Sequence, residues 1–184
     1  MERLLAGQTI AVVSDAGTPG ISDPGFLVAR EAIKAGIEVI TLPGATAFVP
    51  ALVSSGLPCD RFCFEGFLPQ KKGRQTRIAA LAEETRTMII YEAPHHLLKT
   101  LKELYEVLGD RSITLCKELT KLYEKIRKTT ISELIAEYEV TEPKGEHVLV
   151  IAGKTFKEKK DASIQSYLEM SIEDHMEMYL SKAI

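Results

Sequence analysis

Two stretches of this 184-residue sequence concentrate the residue types that let a small molecule lie against a polypeptide backbone. The first is Ser14-Asp15-Ala16-Gly17-Thr18-Pro19-Gly20-Ile21-Ser22-Asp23-Pro24-Gly25; the second is Leu42-Pro43-Gly44-Ala45-Thr46-Ala47. Glycine has no Cβ and admits close approach, and the small Ser, Thr and Ala side chains leave room beside it. Each stretch follows a β-branched run and precedes a segment of helical spacing, the position where open α/β sheets bind ligands. Neither contains the Gly-Lys-Ser/Thr of a P-loop or the GxGxxG of a dinucleotide fold. Gly and Pro also make turns without any ligand. One loop alone would leave the two readings balanced; two in succession favour a binding site.

A second kind of chemistry is suggested by cations. Lys71, Lys72, Arg74 and Arg77 fall within seven residues, and Lys117, Lys121, Lys125, Arg127 and Lys128 form another group. Such clusters neutralise phosphates, or they are simply solvated faces, a reading favoured for the second group by the interspersed Glu118 and Glu124. The net charge of −3 argues against a wholly basic nucleic-acid binder and allows local patches. His95 and His96 lack partners at metal-ligand spacing, so no metal is expected and they read as surface residues at a helix start. Cys59, Cys63 and Cys116 are an odd set without zinc spacing and read as reduced, packed thiols of a cytoplasmic protein. No apolar run reaches the roughly 18 residues of a membrane span, and the N-terminus lacks the pattern of a signal peptide.

The elements that must position these residues follow from periodicity. Residues 9–14 and 37–42 read as buried strands, and 26–36 and 46–56 as helices, in β-loop-α-β-loop-α order, which implies parallel strands with crossover helices. Beyond Leu57 the spacing predicts strands at 62–67, 87–94, 112–119 and 147–153. Helices are predicted at 78–85, 95–109 and 130–140, the helix at 95–109 being strongly amphipathic. The fold class is therefore α/β, with a boundary near residues 56–61: an N-terminal unit 1–57, a C-terminal α/β unit 58–155, and a helical tail 156–184. Two strands make too little sheet to cover their helices, so the first unit is expected to be incomplete, and the uncapped tail is expected to be cut.

The motifs SDAGTPGISDPG, LPGATA, FEGFLP, YEAPHH, KELTKLYEK and KGEHVLVIAG occur in this order over residues 3 to about 153. Together they resemble the tetrapyrrole methylase superfamily. Within it, SDAGTP, GFLP and ELTK resemble the ribosomal RNA small subunit methyltransferase I branch, which methylates a cytidine 2′-hydroxyl. The resemblance implies two α/β domains with S-adenosylmethionine in the cleft between them, small-subunit ribosomal RNA as partner, and a homodimer without membrane attachment. The family's opening strand and Pro-x-Gly-Asn-Leu loop have no counterpart here, so the chain by itself is expected to hold the cofactor weakly.

By the same resemblance, Gly17, Thr18, Pro19 and Ile21 lie beside the cofactor, Thr18 taking the superfamily's Asp position. Gly44, Thr46 and Ala47 lie against the methionine moiety, Tyr91 and Glu92 end a strand facing the cleft, and Ala152 and Gly153 pass near the adenine. Where RNA methylases of the family often read YESPHR, this chain has His96 in place of the arginine. Methyl transfer to a ribose asks mainly for in-line positioning and for a group to accept the hydroxyl proton; Asp15, Glu92, Glu118 and Lys121 are the candidates. Glu92 could instead cap the helix at His95, and Glu118 with Lys121 could be a solvated ion pair at a helix start. Lys71, Lys72, Arg74 and Arg77 are the candidate RNA contacts. A small-molecule acceptor within the same superfamily and a non-catalytic RNA- or nucleotide-binding module are the alternative functions.

Overall fold

The computed structural model describes residues 1–155 and Ser171; the helical reading of 156–184 falls otherwise outside the described residues. The elements run α1 (Glu2–Leu5), α2 (Phe26–Lys34), α3 (Phe48–Ser55), β1 (Phe62–Phe67), α4 (Arg74–Ala80) and β2 (Thr87–Glu92). They continue with α5 (Pro94–Leu108), β3 (Ser112–Lys117), β4 (Lys125–Thr130), α6 (Ile131–Val140) and β5 (His147–Ile151). A five-stranded sheet has the order β1-β2-β5-β3-β4. β1 and β2 are parallel, while β5 is antiparallel to both β2 and β3, and β4 is antiparallel to β3.

The central strand explains the sheet. His-Val-Leu-Val-Ile is buried at every position, as a strand covered on both faces requires. Leu149 and Ile151 join the core formed with α4, α5 and α6, where Ile78, Leu97, Leu101, Leu104, Ile131 and Leu134 are fully buried. Val148 and Val150 face the other way, toward Ala51 and Leu52 of α3. Each such aliphatic side chain contributes about 1.5–3 kcal/mol relative to exposure. On α5 the buried residues are Leu97, Thr100, Leu101, Leu104 and Leu108, one stripe at i, i+3, i+4 spacing. Pro94 opens that helix where its missing N–H costs nothing, and Gly109 ends it at φ 72°.

Several boundaries differ from the sequence expectations. Residues 9–14 and 37–42 form no strand ladder, and Val13, Ile40 and Leu42 are exposed. A strand is defined by its hydrogen-bonded neighbour, and among the described residues neither stretch lies beside one. The C-terminal sheet, whose strand directions the sequence left open, is mixed. β4 is absent from the expected strands, because Lys125, Arg127 and Lys128 read as a solvated face; it is an edge strand with lysines along it. The helix expected at 78–85 begins at Arg74 and finishes in a 3-10 turn at Leu81–Glu83.

His147 sits in the sheet between Glu92 and Lys117, 2% exposed, and among the described residues neither ring nitrogen has a hydrogen-bond partner. Burial, reinforced by the Lys117 charge and partly opposed by Glu118, lowers its pKa to about 4. The unfolded chain, at about 6.5, therefore binds a proton that the folded chain refuses between those values, so stability falls as pH drops from 6.5 toward 4. Urea denaturation of a His147→Leu variant should show a shallower loss over that window, by about 3 kcal/mol across it; parallel curves would refute the assignment.

Candidate functional site

The two glycine-rich loops meet. The Thr18 N–H and hydroxyl both donate to the Ala45 carbonyl, at 2.9 and 3.2 Å. A Cβ on Gly17, where φ is +80°, would stand 3.0 Å from that same oxygen, and one on Gly44 would stand 2.8 Å from the Thr18 hydroxyl. Both glycines are thus required by loop-to-loop contact itself. Ser14 tightens the first loop by donating to the carbonyls of Ala16 and Gly17. The loop then carries Ser22, at φ 62°, against Gly66 of β1.

Between them lies an open cleft of about 370 Å³, lined by Ser22, Phe64, Glu65, Gly66 and Phe67. That volume falls within the roughly 300–1,000 Å³ of small-molecule sites. Its aromatic floor extends through Tyr91, whose ring meets Phe64 and Phe67 edge-on at 5.1 and 5.6 Å. The Phe48 N–H donates to the Tyr91 hydroxyl at 3.0 Å, joining the start of α3, and so Thr46 and Ala47, to the end of β2. Burial, with the charge of Asp23 nearby, raises the Tyr91 pKa. Phe64, Gly66 and Phe67 belong to the FEGFLP motif but were not among the expected site residues; a glycine inside the strand Phe62–Phe67 was the available signal of close approach.

Neighbouring residues of a strand face opposite ways, and Glu92 accordingly turns away from Tyr91. It is 6% exposed, and its carboxylate accepts from the Ala93 N–H and the Thr100 hydroxyl. Thr100 accepts in turn from Arg74, whose guanidinium also donates to Glu103 and to the Pro69 carbonyl. Arg74 is 7% exposed, so this expected RNA contact is instead an internal ion pair. Arg77 pairs with Glu65 at 2.5 Å. Lys71 and Lys72 are exposed on the loop ahead of α4.

Ala152 and Gly153 depart furthest from expectation. Because β5 is antiparallel to β2, its end lies beside Met88 while its beginning lies beside Glu92. About 13 Å of strand separates the two ends, so Ala152 and Gly153 stand at the end of the sheet remote from Tyr91. Gly153 is packed there so tightly that a Cβ would fall 2.1 Å from the Thr85 carbonyl. Its glycine serves that contact.

Glu118 and Lys121 lie in the β3–β4 connection, where no helix starts. The Glu118 carboxylate accepts from the Glu146 N–H and from Lys121, which lowers its pKa, backbone donation being the larger cause. Lys121 also reaches Glu146 at 2.7 Å, and its pKa is raised. Asp15 is exposed, and its carboxylate carries no hydrogen bond or ion pair among the described residues. No group of three or more potential metal ligands occurs among the described residues, and no described helix is long and apolar enough to cross a membrane.

Comparison with known proteins gives this geometry its context. The family description Tetrapyrrole (Corrin/Porphyrin) Methylases matches residues 1–135. The chain belongs to that family. It is 48% identical over 186 aligned residues to a Synechocystis protein named ribosomal RNA small subunit methyltransferase I, covering all of this chain and 65% of the relative. It is 41% identical to the Thermotoga maritima protein of the same name, over 82% of this chain and 68% of that one. The tetrapyrrole methylase fold is shared with the methyltransferase CobJ, at TM-score 0.62 and 22% identity over 83% of this chain and 67% of CobJ. The chain thus spans a little under two thirds of the Synechocystis relative. In this family member the Thr18–Ala45 clamp should fail in Gly44→Val, whose side chain displaces the Thr18 hydroxyl. Hydrogen exchange should show the Thr18 amide deprotected while β2 and β5 keep parent rates; retained Thr18 protection would show that the loops are not held by this contact.

Proposed function

We propose that the protein to which this chain belongs transfers a methyl group from S-adenosylmethionine to the 2′-hydroxyl of a cytidine in small-subunit ribosomal RNA. The observation that carries the reading is the clamp of the two glycine-rich loops beside an aromatic cleft. It stands in a chain 41–48% identical to proteins named ribosomal RNA small subunit methyltransferase I. A tetrapyrrole acceptor has no comparable support, since likeness to CobJ at 22% identity is a likeness of fold. The reading includes a cytoplasmic homodimer and two α/β units joined near residues 56–61.

The cleft fits an amphiphilic nucleoside ligand: Phe64 and Phe67 offer apolar faces, Ser22 and the loop backbone offer polar groups, and Gly66 leaves a gap a side chain would fill. When bound, S-adenosylmethionine supplies an electrophilic methyl sulfonium. Gly17, Thr18, Pro19 and Ile21 on one loop, with Gly44, Thr46 and Ala47 on the other, would hold it, and Tyr91 would close the floor. The protein's work is then to orient the ribose oxygen and exclude competing water. Of the four acid–base candidates, Glu92, Glu118 and Lys121 are already engaged with neighbours. Asp15 takes the acceptor role in this reading, and Lys71 and Lys72 take phosphates.

Methylation of small ribosomal subunits by the whole protein tests this. Asp15→Asn should lower kcat by about a hundredfold or more with little change in cofactor affinity by calorimetry. An unchanged kcat would remove Asp15 from the chemistry. Lys71→Ala with Lys72→Ala should reduce the log–log salt slope of RNA binding by about 0.7–0.9 for each lysine. An unaltered slope would return both to the solvated surface.

A further inference from the structure

One line of register partners crosses the sheet at the end where the cleft opens. Phe67 pairs with Tyr91, and its neighbour Glu92 pairs with His147, which pairs with Lys117, which pairs with Lys125. Four inter-strand steps make this rim about 19 Å long. Lys71 and Lys72 follow β1 at one end, and at the other stands the β3–β4 connection, residues 118–124.

That connection is braced. The Glu118 N–H donates to the Glu146 carbonyl at 2.9 Å, its carboxylate accepts from the Glu146 N–H at 2.7 Å, and Lys121 bridges both glutamates. The Thr120 N–H donates to Glu124 at 2.6 Å, and Leu119 packs into the same core as Phe48 and Tyr91. Glu118 and Thr120 both hold positive φ, 49° and 65°, to make the turn. Lys121 and Glu124 are exposed but engaged in these contacts, whereas Leu122, 88% exposed, and Tyr123, 72% exposed, project beside them with no such engagement among the described residues. An apolar pair held out on a fixed turn, with Lys117 and Lys125 at its base, is built as a solvated tip would not be.

We infer that this turn is a base-stacking platform for an unpaired stretch of RNA, Tyr123 receiving a base while Lys125 and, across the rim, Lys71 and Lys72 hold phosphates. The ligand is single-stranded because a duplex keeps its base faces stacked inside, whereas an aromatic ring beside a cationic track is how unpaired nucleotides are gripped. The inference rests on the ribosomal RNA reading above and deepens it: the target ribose is presented from a loop or melted strand, laid along the rim from the turn to the cleft.

The test uses the 184-residue chain, since RNA binding is read without cofactor. A fluorescein-labelled unpaired RNA of about ten nucleotides should bind with anisotropy change, and Tyr123→Ala should weaken it roughly five- to a hundredfold, the effect of one lost stacking contact. Tyr123→Trp should restore affinity, and neither change should alter the salt slope, because no phosphate contact is lost; Lys125→Ala should lower that slope by about 0.7. Thermal midpoints equal to the parent's establish that the exposed substitutions leave the fold intact. Parent-like affinity in Tyr123→Ala, equal binding of a duplex of the same sequence, or no RNA binding by the parent would each overturn the platform. Loss of affinity for assembled small subunits with none for the oligonucleotide would overturn it too, and would assign the turn to a protein contact. Methyl transfer by the whole protein is a separate readout. Transfer with an indifferent Tyr123 sinks the platform alone; Tyr123-dependent binding without transfer sinks only the enzymatic reading.

Discussion

The position of every group at the cleft rim depends on β5 lying between β2 and β3 and antiparallel to both. Its backbone satisfies the inner edges of two strand pairs, and its side chains fill cores on both faces. That single insertion brings the ends of β1, β2 and β3 and the start of β5 to one side of the sheet. It also sends Gly153 to the other. A parallel β5 would have reversed this last arrangement and put the chain's C-terminal strand residues beside Tyr91.

Beneath the rim, polar groups are divided between two tasks. On the α5 side, Glu92, Thr100, Arg74 and Glu103 form a continuous buried chain of hydrogen bonds. Removing one member leaves another buried without its partner, which is more costly than the bond itself is worth. Through the Pro69 carbonyl the same chain anchors the start of the lysine loop. On the α3 side the contacts are aromatic, with Phe48, Phe64, Phe67 and Tyr91 tilted or edge-on to one another. The first arrangement fixes what must not move, and the second leaves an apolar floor.

Much of this was legible in the residues. The amphipathic spacing of 95–109 and the runs expected as strands at 87–94, 112–119 and 147–153 gave elements that the structure contains with shorter C-terminal ends, because burial of a periodic face is a local signal. The pairing of the two glycine-rich loops was foreshadowed by their matching position after β-branched runs. What could not be read was long-range. Strand direction for β5 is set by its neighbours and not by its own composition. The lysine-rich β4 reads as a solvated face because an edge strand has no apolar requirement on its outer side. Arg74 and Lys71 look alike in sequence, and only the approach of Thr100 and Glu103 from α5 separates a structural cation from an exposed one.

The order of strands in space also has a consequence for synthesis. β5 is the last strand of the sheet to leave the ribosome and the one that occupies its middle. Until it emerges, β1–β2 and β3–β4 are two separate ribbons, each with an inner edge open and apolar residues such as Ile89, Ile90, Ile113 and Leu115 uncovered. Such edges are templates for pairing with other chains, and nascent chains that display them are prone to aggregate. Closure must therefore wait on residues 147–151, and until they are made the open inner edges of both ribbons have only each other or another chain to pair with.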